Sequence, residues 1–170
     1  LNRPNWNVIE SDIVEFSKKD LLKEFNIKKG ELDLLSGGYP CQSFSYAGKR
    51  LGIEDVRGTM FYYYAEFLKQ LQLKMFLAEN VKGLTTHDGG KTMQTMLNVF
   101  KELGYEVKWK VLDAWDYGVA EKRQRVVIIG IRNDLKNKIK FEYPKPHAYK
   151  PVLKDVLQDV PKSDGAKYPE

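Results

Sequence analysis

Short apolar runs closed by turn residues alternate along this chain with segments of helical period, and that alternation restricts it to a layered α/β fold with a central sheet. The run 32–35 ends on Ser36, Gly37 and Gly38, which predicts a strand stopping at a glycine turn. Met60, Phe61, Tyr64, Phe67, Leu68 and Leu71 recur at helical spacing behind Thr59, a residue suited to capping the first turn. The run 75–78 predicts a second buried strand, with Glu79 and Asn80 directly after it. Met93, Met96, Leu97, Phe100 and Leu103 predict another helix, and Gly104 stands where a left-handed stop belongs. Val107, Trp109 and Val111 alternate with Lys108 and Lys110 as in a half-exposed strand, 126–131 is an apolar β-branched strand, and the loop 113–125 between them predicts a hairpin at one end of the sheet.

A chain of 170 residues has room for one domain with its own core, yet is small for an enzyme with two substrates. It opens on Leu rather than Met and closes on a stretch, 161–170, of mostly polar and turn residues, so it reads as part of a longer protein truncated at both ends. No run approaches the roughly 18 apolar residues of a membrane span, and no secretory pattern opens the chain, so the expectation is a cytoplasmic protein without membrane contact. The 28 Lys and Arg against 23 Asp and Glu are compatible with a polyanionic partner without requiring one.

A single cysteine, Cys41, can form neither an internal disulfide nor a zinc cluster, so it is a core residue or a chemically used thiol. Its surroundings favour the second: Gly37 and Gly38 allow a tight turn, Pro40 fixes the angle before the thiol, and Gln42, Ser43, Phe44 and Ser45 follow. Glu79, just past an apolar strand, can hold or donate a proton if partly withdrawn from water, or it is a solvated acid at a strand end. Extended backbone from Glu121 to Arg125 places Arg123 and Arg125 on one face, suited to a phosphate, a carboxylate or a carbonyl oxygen, or to a charged hairpin edge. Arg57 and Gly58 before a helix make a phosphate contact plausible, in a basic loop that also carries Lys49 and Arg50. In an open α/β sheet ligands bind beyond the carboxyl ends of strands, where the cysteine turn and the Glu79-Asn80 pair both lie. His87 and His147 pair with no nucleophile by any visible pattern, which leaves a Cys-His hydrolase and a metal site unsupported.

Taken in order, Gly38-Tyr39-Pro40-Cys41-Gln42-Ser43-Phe44-Ser45, Asp55-Val56-Arg57-Gly58-Thr59-Met60-Phe61, Glu79-Asn80-Val81 and Arg123-Gln124-Arg125 resemble the signature blocks of bacterial DNA cytosine-5 methyltransferases of the restriction-modification type. Four blocks in the right order and spacing are far more specific than any one. The resemblance implies a Rossmann-like S-adenosylmethionine-dependent methyltransferase fold, with 1–143 part of the catalytic domain and 144–170 the start of a linker toward a target-recognition region. It implies Cys41 as nucleophile toward C6 of a flipped cytosine, Glu79 pairing with N3 and the exocyclic amine, and Arg125, with Arg123 nearby, holding the base. It further implies cofactor contacts by Asp12, Pro40 and Met60, DNA contacts by Gln42, Ser45, Arg57 and Gly58, and a loop-shaping role for Asn80. S-adenosyl-L-methionine is the implied cosubstrate, with no metal, and the implied partners are double-stranded DNA and a cognate restriction endonuclease, the enzyme itself being a monomer.

Two departures stand out. Glu121 occupies a position where many relatives have Gln, and the Phe-x-Gly-x-Gly loop, the ribose-binding acid, the target-recognition region and the closing Gly-Asn block have no counterpart here, so the chain by itself is expected to be inactive. Two alternatives stay open: a tRNA cytosine-5 methyltransferase, and an inert nucleic-acid-binding module that keeps the fold.

Overall fold

The computed structural model describes residues 5–40, 53–56 and 59–158. Four strands, β1 (Leu34–Gly37), β2 (Met75–Val81), β3 (Tyr105–Asp113) and β4 (Gln124–Arg132), form one mixed sheet in the order β1-β2-β4-β3. β1 and β2 are parallel, and β4 is antiparallel to both β2 and β3. Helices α1 (Ile13–Ser17), α2 (Leu21–Glu24), α3 (Met60–Leu71), α4 (Lys91–Glu102) and α5 (Leu153–Val156) accompany it. No helix among the described residues is long and apolar enough to cross a membrane.

The helical period foreseen for α3 and α4 buries one stripe of each against the sheet. Phe61, Tyr64 and Leu68 of α3 and Met96, Val99 and Phe100 of α4 join Phe76, Ala78 and Ile128 in one core. Phe76 is its centre, with ring centroids 4.4 Å from Phe100 and 5.2 Å from Tyr105. Opposite Phe76 in the ladder stands Gly130, where an added Cβ would fall 1.9 Å from the Phe76 ring, so the aromatic lies in the space a side chain would need. Thr59 caps α3 by accepting from Tyr62 N at 3.2 Å, and Gly104 ends the α4 region at φ +89°. Tyr64 ties α3 to the sheet by donating to Leu77 O at 3.1 Å, and burial raises its phenol well above the ordinary range, so it stays a donor.

The hairpin foreseen at one end of the sheet is β3-β4, with Lys108 and Lys110 exposed on the edge strand, a charge pattern that discourages further pairing. Boundaries differ from the sequence expectation: β3 and β4 extend beyond 107–111 and 126–131, so the ladder takes in Asp113, Gln124 and Arg125 and leaves only 114–123 as loop, and two further differences lie at the cleft. β1 runs from Leu34 through Ser36 and Gly37 rather than over 32–35, because the parallel register with β2 carries to Gly37 opposite Ala78. β2 continues past Ala78 to Val81, so Glu79 and Asn80 lie inside the strand rather than after it, since β4 supplies partners for both in Val127 and Val126.

Candidate active site

β1 stops opposite Ala78 while β2 continues three residues along β4, and this difference in length opens a cleft beside the chain leaving β1. The cleft has a volume of about 280 Å³ and is lined by Gly38, Tyr39, Pro40, Glu79, Asn80, Val81, Arg123 and Arg125. Residues from three of the four sequence clusters therefore meet in one place.

Strand alternation divides the work of the pair on β2. Glu79 turns into the cleft, where Arg125 Nε donates to its Oε1 at 2.8 Å. Their side chains are 42% and 26% exposed, so the withdrawal from water expected of Glu79 is partial. An ion pair this accessible stabilises a fold by roughly 0–1 kcal/mol, so its main effect is on orientation. Arg125 is itself steadied by Nη1 donating to Gln124 O at 2.9 Å. Across from the carboxylate, a Cβ on Gly38 would sit 3.0 Å from Glu79 Oε2, so the glycine leaves room for the acid.

Asn80 faces the opposite way and is buried. Its Nδ2 donates to Tyr39 O at 2.8 Å and its Oδ1 accepts from Val81 N at 2.9 Å, which satisfies both ends of the amide. The Tyr39 ring packs 5.3 Å from both Phe61 and Tyr64, and its hydroxyl reaches Met96 Sδ at 3.8 Å. Tyr39 thus fixes the main chain one residue before Pro40. Cys41, Gln42, Ser45, Arg57 and Gly58 lie outside the described residues.

A second cavity of about 290 Å³ shares Gly38, Tyr39 and Pro40 with the first and is otherwise walled by Ile13, Leu35, Ser36, Gly37, Met60, Tyr64 and Phe67. Pro40 and Met60, both expected at a cofactor, line this mostly apolar space. Asp12 does not; it is exposed, with Oδ1 accepting from Val14 N at 2.7 Å as the cap of α1, and its neighbour Ile13 forms part of the wall.

Two residues near the cleft carry no sign of their part in the sequence. Gly38 reads as a turn residue, whereas its close neighbour is the Glu79 carboxylate. Asp113 reads as a loop boundary, whereas its Oδ1 accepts from Arg123 N at 3.1 Å. The sequence signal for Asp113 is an acid at a strand end, the position from which an Asx turn bonds backbone two residues on.

The model of the C-5 cytosine-specific DNA methylase family matches residues 2–169. The type II methyltransferase M.Sau96I of Staphylococcus aureus is 57% identical over 170 residues, covering 99% of this chain and 39% of that protein. M.PspPI of a Psychrobacter species is 46% identical over 177 residues, covering 99% and 41%. Among solved structures, a Spodoptera frugiperda DNMT2 mutant superposes with a TM-score of 0.58 at 26% identity, over 84% of this chain and 41% of that one. A prophage-encoded E. coli protein, crystallised as a candidate DNA modification methyltransferase, reaches 0.66 at 26% identity over 91% and 42%. The chain spans about two-fifths of the length of these curated relatives.

Proposed function

The chain belongs to the C-5 cytosine-specific DNA methylase family, and on that premise we propose that the whole protein methylates C5 of cytosine in double-stranded DNA as the modifying member of a type II restriction-modification system. A cognate endonuclease reading the same site, and action as a monomer, belong to the same reading. The observation that carries it is the single cleft in which the segment leading to Cys41 meets Glu79, Asn80, Arg123 and Arg125.

The target base must leave the stack to reach such a cleft, at a cost of a few kcal/mol. The Cys41 thiolate adds to C6, and the electron pair displaced toward the ring makes C5 nucleophilic. Glu79 promotes that addition by hydrogen bonding or protonating N3 and accepting from the exocyclic amine. Oε2, over Gly38, is the oxygen that Arg125 does not engage and can carry the proton for N3, while Oε1 keeps a lone pair for the amine. Arg125, with Arg123 beside it, holds the base and the acid together. Once C5 carries the methyl group, loss of the C5 proton and expulsion of the thiolate restore the ring.

When bound, S-adenosylmethionine supplies the methyl group. The apolar cavity next to the cleft supports this, because Ile13, Met60 and Phe67 suit a purine ring or thioether chain and Pro40 borders both spaces. Asp12, at the start of α1, is proposed for the adenine amine, and Gln42, Ser45, Arg57 and Gly58 for the DNA. Asn80 shapes the cysteine turn through its bond to Tyr39 O.

The test is Cys41→Ser in the whole protein. Methyl transfer to DNA should be abolished with DNA binding largely intact, and transfer at the normal rate would remove Cys41 from its role. Transfer by the unaltered protein to tRNA and not to DNA would move the reading to an RNA enzyme, and binding without transfer to either would favour an inert module.

A further inference from the structure

Asp113 is the last residue of β3, and its carboxylate joins both ends of the loop that follows. Oδ1 accepts from Trp115 N at 3.2 Å at the start of the loop and from Arg123 N at 3.1 Å at its end, while Ala114 N donates to Arg123 O at 3.1 Å. The last ladder pair is Asp113 with Gln124, so Arg123 already lies outside the sheet and takes its main-chain position from these contacts.

The near side of the loop is anchored from without. The 3-10 turn Ala114–Tyr117 is held by Trp115 Nε1 donating to Pro151 O at 2.8 Å, by His147 N donating to Asp116 O at 2.8 Å and by Tyr117 donating to Pro144 O at 3.1 Å. Lys122 and Lys150 lie over the Trp115 ring at 4.7 and 4.8 Å, and Lys150 also pairs with Asp116 at 2.6 Å. One end of the loop is thus fixed to the segment after β4, and Asp113 refers the arginine end to it.

From this we infer that Asp113 is a positioning residue for Arg123: it sets the placement of that guanidinium at the cleft without touching the base itself, whereas Arg125 is held in the ladder between Val81 and Leu112. The inference rests on the proposed role of Arg123 and adds the device that aims it. A carboxylate is suited to it, because one oxygen accepts two N–H groups and stiffens a loop that has no ladder to hold it.

The experiment measures kcat and KM for unmethylated genomic DNA in the whole protein carrying Asp113→Ala, Asp113→Asn, Arg123→Ala, and Asp113→Ala with Arg123→Ala. Misplaced catalytic groups lower turnover rather than binding, so Asp113→Ala should reduce kcat about tenfold or more with KM for DNA changed less than about threefold. Asp113→Asn keeps an acceptor oxygen and should restore kcat to within about threefold of the unaltered protein. In the double variant the loss should be no greater than for Arg123→Ala alone, because the aimed group is gone.

Losses that multiply in the double variant, or Asp113→Ala at the normal rate beside a crippled Arg123→Ala, would overturn the positioning role and leave the function intact. Arg123→Ala at the normal rate would overturn the positioning role together with the part proposed for Arg123, and no methylation of DNA by the unaltered protein would overturn the function itself. Should Asp113→Ala fail to fold, Asp113→Asn decides: kcat near normal supports the shared acceptor, and kcat as low as in Arg123→Ala overturns it.

Discussion

The Glu79 carboxylate is placed by contacts that each have a separable consequence. Arg125 holds Oε1, and Gly38 leaves space beside Oε2. Gly38→Ala should therefore push the acid aside while disturbing little else, since the nearest backbone atom, Glu79 O, is 3.5 Å from the new Cβ. The expected outcome is a loss in kcat of about tenfold, with thermal stability nearly unchanged, measured by steady-state methylation and a melting scan. Asn80 should behave in the opposite manner. Its amide is buried and bonded at both ends, so Asn80→Ala removes the bonds to Tyr39 O and Val81 N and should lower stability by about 1–3 kcal/mol, readable as a shifted urea midpoint. Glu79 and Arg125 were recognisable from residue type and order, because acid and guanidinium chemistry is written in the side chains themselves. Gly38 and Asp113 were not, because a glycine vacancy and a shared acceptor exist only between segments brought together by folding.

At the scale of elements, the cleft is a product of unequal strand lengths. The sequence displayed where apolar runs end, and it placed Glu79 beyond β2 because a carboxylate breaks such a run. Pairing with β4 continues regardless, since Val126 and Val127 offer backbone partners whatever side chain lies opposite. The two helices with the clearest period, α3 and α4, and the β3-β4 hairpin were legible because periodicity and loop length are local properties. The engagement of the loop 113–125 by Pro144, His147 and Pro151 was not, because nothing local in a Pro- and Lys-rich stretch shows what it packs on. The sheet also contains a long-range fit that composition disguises: Gly130 in a β-branched strand reads as a weak point, yet Phe76 fills its place. Gly130→Ala would put a methyl 1.9 Å from that ring and should destabilise the protein by about 2 kcal/mol or more, seen as a lowered urea midpoint; an unchanged midpoint would show that Phe76 can vacate the position.

For the whole molecule, phenols wholly or partly withdrawn from water link neighbouring segments to the sheet and make stability sensitive to alkali. Burial raises Tyr105, which donates to Leu73 O at 3.0 Å, to about 12, and does the same for Tyr143, which donates to Val127 O at 2.9 Å. An unfolded tyrosine titrates near 10, so the folded state binds more protons between about 10 and 12. Their stabilisation should be complete below about pH 10 and fall as pH rises toward 12, and Tyr105→Phe should flatten that fall in urea midpoints taken across the range. This framework brings the segment leading to Cys41 beside Glu79 and the arginines, and the proposal of cytosine C5 chemistry rests on Cys41. The most direct measurement incubates the whole protein with DNA containing 5-fluorocytosine and S-adenosylmethionine and maps any covalent adduct. Fluorine at C5 blocks the elimination step, so the predicted result is a stable adduct attached at Cys41; an adduct on another residue, or none with DNA that the protein methylates in its unfluorinated form, would contradict it.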